Sequence, residues 1–165
     1  MIKSSVIEKI KTSIFDKCDF EVSELLLDKE CKEYDGCAFK LNDKNIIFRS
    51  AKITPKKVGQ FVTFWKRNKE GITESFSETD TFDYYVINVQ TEHKVGQFIF
   101  PKSVLIEKGI ISTSKKEGKR GFRVYPIWDK TMSKQAISTQ KWQLNYFFEM
   151  NDNLDFNFVK KLYSN

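Results

Sequence analysis

Hydrophobic residues along this chain repeat with two periods, and each period predicts a different element. Near the start, Val6, Ile10 and Ile14 recur every fourth residue, which predicts an amphipathic helix over Ile2–Phe15. Ser23–Glu30 reads as a short helical or irregular connection. Tyr34–Leu41 and Asn45–Lys52 are rich in strand formers and flank Asn42-Asp43-Lys44, the pattern of an antiparallel hairpin. After Pro55, Val58, Phe61, Val62 and Trp65 fall at i, i+3, i+4 and i+7, predicting a helix whose other face carries Lys56, Gln60, Thr63 and Arg67.

Further on, Asp83–Val89 and Gly96–Phe100 read as strands, and Pro101 opens a short helix over Lys102–Lys108 that Gly109 ends. Ile110–Ser112 and Phe122–Tyr125 are expected to enclose the basic loop SKKEGKRG as a hairpin-like arm. Ser133, a good N-cap, starts a helix expected to run to Met150, with Ile137, Leu144 and Phe148 inward and Lys134, Ser138, Lys141 and Asn145 outward; Trp142 reads as structural. A last short helix is expected over Phe156–Tyr163. The sum is one α+β (α/β-like) domain over 1–165, with a central mixed sheet of about five or six strands flanked by helices.

Composition narrows the class. A chain of 165 residues can bury its own core without disulfides or a structural metal, and its 15 phenylalanines supply much of that core. Cys18, Cys31 and Cys37 lack CxxC spacing and share the chain with a single histidine, His93, which argues against zinc. The N-terminal stretch has no apolar run of signal-peptide or membrane-spanning type, so no membrane insertion and a cytoplasmic setting are expected.

Charge changes the picture more. The formal net charge is +6, which favours a polyanionic partner. The charges are also segregated. Every charge from Lys52 to Lys69 is positive and every charge from Glu70 to Asp83 is negative, while Lys115, Lys116, Lys119, Arg120 and Arg123 form a second basic cluster. Tyr125 and Trp128 follow it, as candidates for stacking on an unpaired base or for core packing.

The hairpin raises a sharper possibility. In restriction-endonuclease-like, or PD-(D/E)XK, folds, an acid near the first strand and an acid-x-Lys on the second hold Mg²⁺, and a glutamine often follows. Asp35 sits in the first position with Glu33 beside it, Ser50-Ala51-Lys52 occupies the second, and Gln60 follows. The organisation resembles that core, with serine in place of the second acid. A neutral hydroxyl is a weak ligand for a hard cation. The expectation is therefore no cofactor; in the alternative, Mg²⁺ binds at Asp35, Lys52 is catalytic, and Glu24 or Glu33 completes the ligand set.

The strings YDGCAFKLNDKNIIFRSAKITPKKVGQFVTFWKR, FDYYVINV, GQFIFPKSVLIEKGIIS, KKEGKRGFRVYPIWD and TQKWQLNYFF, spanning about Tyr34–Phe148, resemble the MepB family of small bacterial proteins. That resemblance implies a bacterial, cytoplasmic protein encoded in some genomes near a multidrug efflux pump and its repressor, and it implies no mechanism. The combined expectation is a nucleic-acid-binding protein, DNA foremost, on a nuclease-like core. Lys52, Lys56, Gln60 and Arg67 would line one wall of a groove; Lys115, Lys116, Lys119, Arg120 and Arg123 would form the other, extended by Lys141. The alternatives are a Mg²⁺-dependent nuclease and a regulatory protein partner of the repressor or pump.

Overall fold

The computed structural model describes residues 4–165, so Ile2 and Lys3 of the first predicted helix lie outside the described residues. Helix α1 (Ser5–Ile10) begins at Ser4, whose hydroxyl accepts from the Ile7 N–H at 3.3 Å. It continues through a π-helical turn over Lys11–Phe15 and a 3-10 turn over Asp16–Cys18, burying Ile7, Ile10, Ile14 and Phe15 as the four-residue spacing requires. Strand β1 (Val22–Leu27) then forms one edge of the main sheet, where a helical or irregular connection was expected. Glu24 takes a left-handed φ of 54° and the register with the next strand shifts between Ser23 and Leu26, so the strand carries no clean alternation to read.

The hairpin forms as its pattern predicts. Strands β2 (Cys37–Leu41) and β3 (Lys44–Ser50) pair around a turn with Asn42 at φ 54°, a left-handed conformation asparagine tolerates. The next segment departs from expectation. Pro55–Gly59 is a turn, with Gly59 at φ 84°, and the chain then extends as β5 (Gln60–Thr63), paired on one side with the short β4 (Lys52–Ile53). Gln60, Val62 and Phe64 are buried and Phe61, Thr63 and Trp65 are partly exposed, so the operative period is two. Apolar residues at 61, 62, 64 and 65 satisfy both templates, and the glycine at the centre of the supposed helix favours the strand.

β6 (Trp65–Arg67) and β7 (Thr73–Ser75) make a small hairpin that pairs Lys66 with Glu74. The chain then enters the main sheet as β8 (Tyr84–Gln90), parallel to β3, and returns antiparallel as β9 (Val95–Pro101). Helix α2 (Lys102–Glu107) follows Pro101, and Gly109, at φ 68°, accommodates the turn after it. The arm after it departs from expectation. Residues 121–124 form β10 (Gly121–Val124), which pairs with β5 instead of closing on Ile110–Ser112; the basic loop is held by Lys119 N–H to the Ile110 carbonyl and Gly118 N–H to the Ser112 hydroxyl.

Helix α3 (Lys134–Gln143) starts at the Ser133 cap but stops well short of Met150. A 3-10 turn over Leu144–Tyr146 leads into β11 (Phe147–Glu149), the other edge of the main sheet, so that Phe147 and Phe148 face opposite sides of it. Ile137, expected inside, is 51% exposed. Helix α4 (Phe156–Leu162) is the last element.

The result is three layers. A six-stranded mixed sheet, ordered β1-β2-β3-β8-β9-β11, is covered on one face by α1, its continuation and α4. The other face packs against the three-stranded sheet β10-β5-β4 with α2 and the end of α3. The two sheets are joined through Phe64, whose ring stacks on Tyr85 at 4.0 Å between centroids and on Phe76 at 4.4 Å, while the Tyr85 hydroxyl donates to the Thr63 carbonyl at 2.7 Å. Phe64 is fully buried, and Phe64→Ala is expected to cost about 3–5 kcal/mol in urea unfolding.

Candidate functional site

The hairpin positions of the nuclease reading separate into two places. Asp35, at the end of a 3-10 turn with φ 50°, and Ser50, at the end of β3, line one cavity of about 420 Å³ beneath α1. Lys52 does not join them. Its ammonium sits 3.3 Å from Glu33 Oε2 and 4.7 Å from the centre of the Tyr34 ring, because the chain leaves the main sheet after Ser50 to enter β4. Glu24 lies on β1 beside Lys40, 3.6 Å away. Gln60 is buried, its amide donating to the Gln90 carbonyl at 3.3 Å. Among the described residues no three His, Cys, Asp or Glu side chains cluster as metal ligands. At the cavity itself the donors are one carboxylate, one imidazole, two hydroxyls and neutral amides, a set that falls short of the paired acids the nuclease pattern supplies to Mg²⁺.

The strand registers explain that cavity. Ser50 lies opposite Asn88 and Asn88 opposite Gln97, and directly paired residues face the same side of a sheet. Three polar side chains therefore run in a row on a sheet face whose neighbouring residues on these strands are Ile46, Phe48, Tyr84, Val86 and Ile99. Gln97 is 1% exposed, and neither its Oε1 nor its Nε2 has a partner; the Ser50 hydroxyl is likewise buried and unpartnered. A buried polar group left unpaired costs about 1–3 kcal/mol. Val6, Ile10, Ile14, Val95 and Met150 form apolar walls, while Lys9, Asp35, Gln90 and His93 stand exposed at the rim. Sequence reasoning singled out Asp35 and Ser50 but missed Asn88 and Gln97. Their signal was present as lone amides inside two otherwise apolar strands.

The basic residues sort by their partners. Arg67 contacts Glu30 at 2.6 Å, and Arg120 is 3.9 Å from Glu117. Lys66 meets Asp80 at 2.6 Å and Glu74 at 3.5 Å. Burial alone would lower the Lys66 pKa, but these two carboxylates overcome it and raise it. The acidic stretch thus folds back on Lys66.

Lys52 and Arg123 both lie opposite Phe61, on the outer strands of the small sheet, so all three side chains start from its exposed face, the two outer backbones being about 10 Å apart. The Arg123 guanidinium donates to the Val58 and Gly59 carbonyls and, at 2.6 Å, to the Thr54 hydroxyl, fixing the turn that carries exposed Lys56 and Lys57. Arg123 also lines a polar cleft of about 320 Å³ between β10, the end of α2 and α3, together with Lys108 and Lys119, and no carboxylate among the described residues lines it. Lys115 and Lys116 lie in the loop that leads to Lys119, and Lys141 is exposed on α3. Tyr125 packs so close to Gly59 that a Cβ there would meet its ring at 2.7 Å, and Trp128 packs edge-on to Phe147 at 5.8 Å, an interior role. Burial pushes the Cys37 thiol up to about 12, which removes it as a nucleophile near neutral pH.

A mixed six-stranded sheet with helices on one face and a second small sheet on the other defines an α+β protein with a polar row buried under its first helix and a cationic outer sheet. The MepB-like family description matches residues 28–149, and the chain belongs to that family. The crystal structure of MepB is similar at a TM-score of 0.80 and 34% identity, covering 92% of this chain and 100% of that one. A bacterial homing endonuclease overlaps at a TM-score of 0.44 and 15% identity, covering 87% of this chain and 94% of that one. A comparison with curated proteins gives no significant match.

Gln97→Met removes two orphaned polar atoms from the interior while keeping the side-chain volume. In the unliganded protein it is expected to leave stability unchanged or raise it by up to about 2 kcal/mol, read from the urea midpoint.

Proposed function

We propose that this protein binds nucleic acid, DNA foremost, through its phosphate backbone and without metal-dependent cleavage. The observation that carries this reading is the strand register that sets Lys52 and Arg123 on one exposed face, with Arg123 continuing into the carboxylate-free cleft of Lys108 and Lys119. Several cations on one continuous surface neutralise phosphates and release counterions, giving affinity that ignores sequence and falls with salt. Partly exposed Phe61, between the two cations, offers an aromatic surface to an unpaired base. The surface differs from the two walls read from the sequence. Gln60 is interior, Arg67 and Arg120 have carboxylate neighbours, and Lys52 has Glu33 at 3.3 Å, so the working set is Lys56, Lys108, Lys119 and Arg123, with Lys52, Lys115, Lys116 and Lys141 at its margin.

Fluorescence anisotropy with a labelled duplex between 50 and 200 mM salt tests the reading. Lys108→Gln with Lys119→Gln is expected to weaken binding and to reduce the slope of log K against log salt by about 2, one for each phosphate no longer neutralised. A slope that is flat in the parent protein would overturn it.

The shared cavity of Asp35 and Ser50 is the feature that favours the nuclease reading instead. Supercoiled plasmid incubated with Mg²⁺ or Mn²⁺ is expected to stay intact. Nicking that Asp35→Ala abolishes would establish the rival.

A further inference from the structure

The cavity beneath α1 is built for a ligand of a kind that the basic surface does not address. We propose that it binds a nucleobase, with adenine as the best-matched probe, by pairing the base edge with the carboxamides of Gln97 and Asn88. Three observations lead there. Gln97 is 1% exposed and lines the cavity, and neither the acceptor nor the donor group of its carboxamide has a protein partner, so a side-chain rotation that meets a ligand breaks no hydrogen bond. Asn88, 6% exposed, is its direct neighbour in the sheet, so the two amide side chains start from Cβ atoms about 5 Å apart on the same face. The walls are apolar and come from separate elements, Ile10 and Ile14 from the first helical segment and Val95 and Met150 from the β9–β11 side.

That combination selects for chemistry. A neutral floor with adjacent donor and acceptor matches a planar heterocycle that carries the same pair on one edge, and a carboxamide pairs with adenine through two hydrogen bonds. Apolar walls suit the faces of the ring, as in sites that read a base taken out of its stack. The volume, about 420 Å³, falls in the usual range for small-ligand sites. A phosphate or sugar phosphate is a poorer match, because the interior side chains are uncharged and the charged rim residues Lys9 and Asp35 carry opposite signs. None of the basic residues assigned to backbone binding lines this cavity, so each reading can fail alone.

The test adds adenine, adenosine, ribose 5-phosphate or inorganic phosphate to the full chain, following Tm and the Gln97 side-chain amide resonances. Adenine and adenosine are expected to raise Tm and shift those resonances, and the two phosphates to do neither. Gln97→Met is expected to weaken adenosine binding by about tenfold or more, whereas Lys119→Gln binds adenosine as the parent does. The source of the base is separated by a duplex with one extrahelical adenine. Binding at least tenfold tighter than the unbulged duplex identifies a strand residue, and equal binding identifies a free nucleoside or nucleotide. The proposal is overturned if neither adenine nor adenosine moves the Gln97 amide signals, or if Gln97→Met binds adenosine unchanged; the direct amide readout keeps it decidable should the variant not fold.

Discussion

The contact on which the architecture turns is the stack of Phe64 on Tyr85, locked by the tyrosine hydroxyl donating to the Thr63 carbonyl. β3 and β8 run parallel, so the chain between them must cross over, and such crossovers usually carry a helix. Here the crossover holds β4 to β7 and no helix. A crossover made of extended chain has exposed backbone to satisfy and a narrow apolar face to bury. Pairing with β10 satisfies the first requirement, and the aromatic stack satisfies the second. Once Phe64 is seated, Gln60 and Val62 must point inward with it, which turns Phe61 and its cross-strand neighbours Lys52 and Arg123 to the outside. The cationic face is thus a geometric consequence of where one phenylalanine is buried.

How much of this the sequence disclosed depends on whether a segment's local pattern had one solution. The hairpin, β8, β9, the helix after Pro101, the Ser133 cap and the last helix each had one. Residues 55–67 had two, because apolar positions at 61, 62, 64 and 65 fit both helical and alternating periods, and tertiary pairing with β10 decided between them. α3 was read too long for a related reason. Leu144, Phe147 and Phe148 continue an apolar pattern, but the edge of a sheet captures Phe147–Glu149 as a strand. The charge segregation was also real in the sequence and partly misleading in space, since the β6–β7 hairpin brings Lys66 onto Glu74 and Asp80. A run of like charge says where charge lies along the chain, and only the fold says what neutralises it.

The site was half visible. Asp35 and Ser50 were singled out because a hairpin motif named their positions, and they do share a cavity. Asn88 and Gln97 belong to no motif, and their importance comes from register, which puts them in line with Ser50 and away from protein partners. The two candidate surfaces end up on opposite sides of the main sheet: the amide row faces α1, and the cationic strands lie beyond the other face. Their chemistries are complementary in kind, one neutral and enclosed, the other charged and open.

The left-handed Glu24 on β1 carries a consequence for how the molecule meets its own kind. A six-stranded sheet has two rims of unpaired peptide groups, each a template onto which another chain could add a strand. On one rim, β11 is three residues long. On the other, the shift between Ser23 and Leu26 bends β1 where Glu24 and Lys40 place opposite charges beside the outer edge. Neither rim presents a straight, uncharged run, so the fold is guarded against growing sheet-to-sheet into aggregates even though Leu26 and Leu27 stay exposed there.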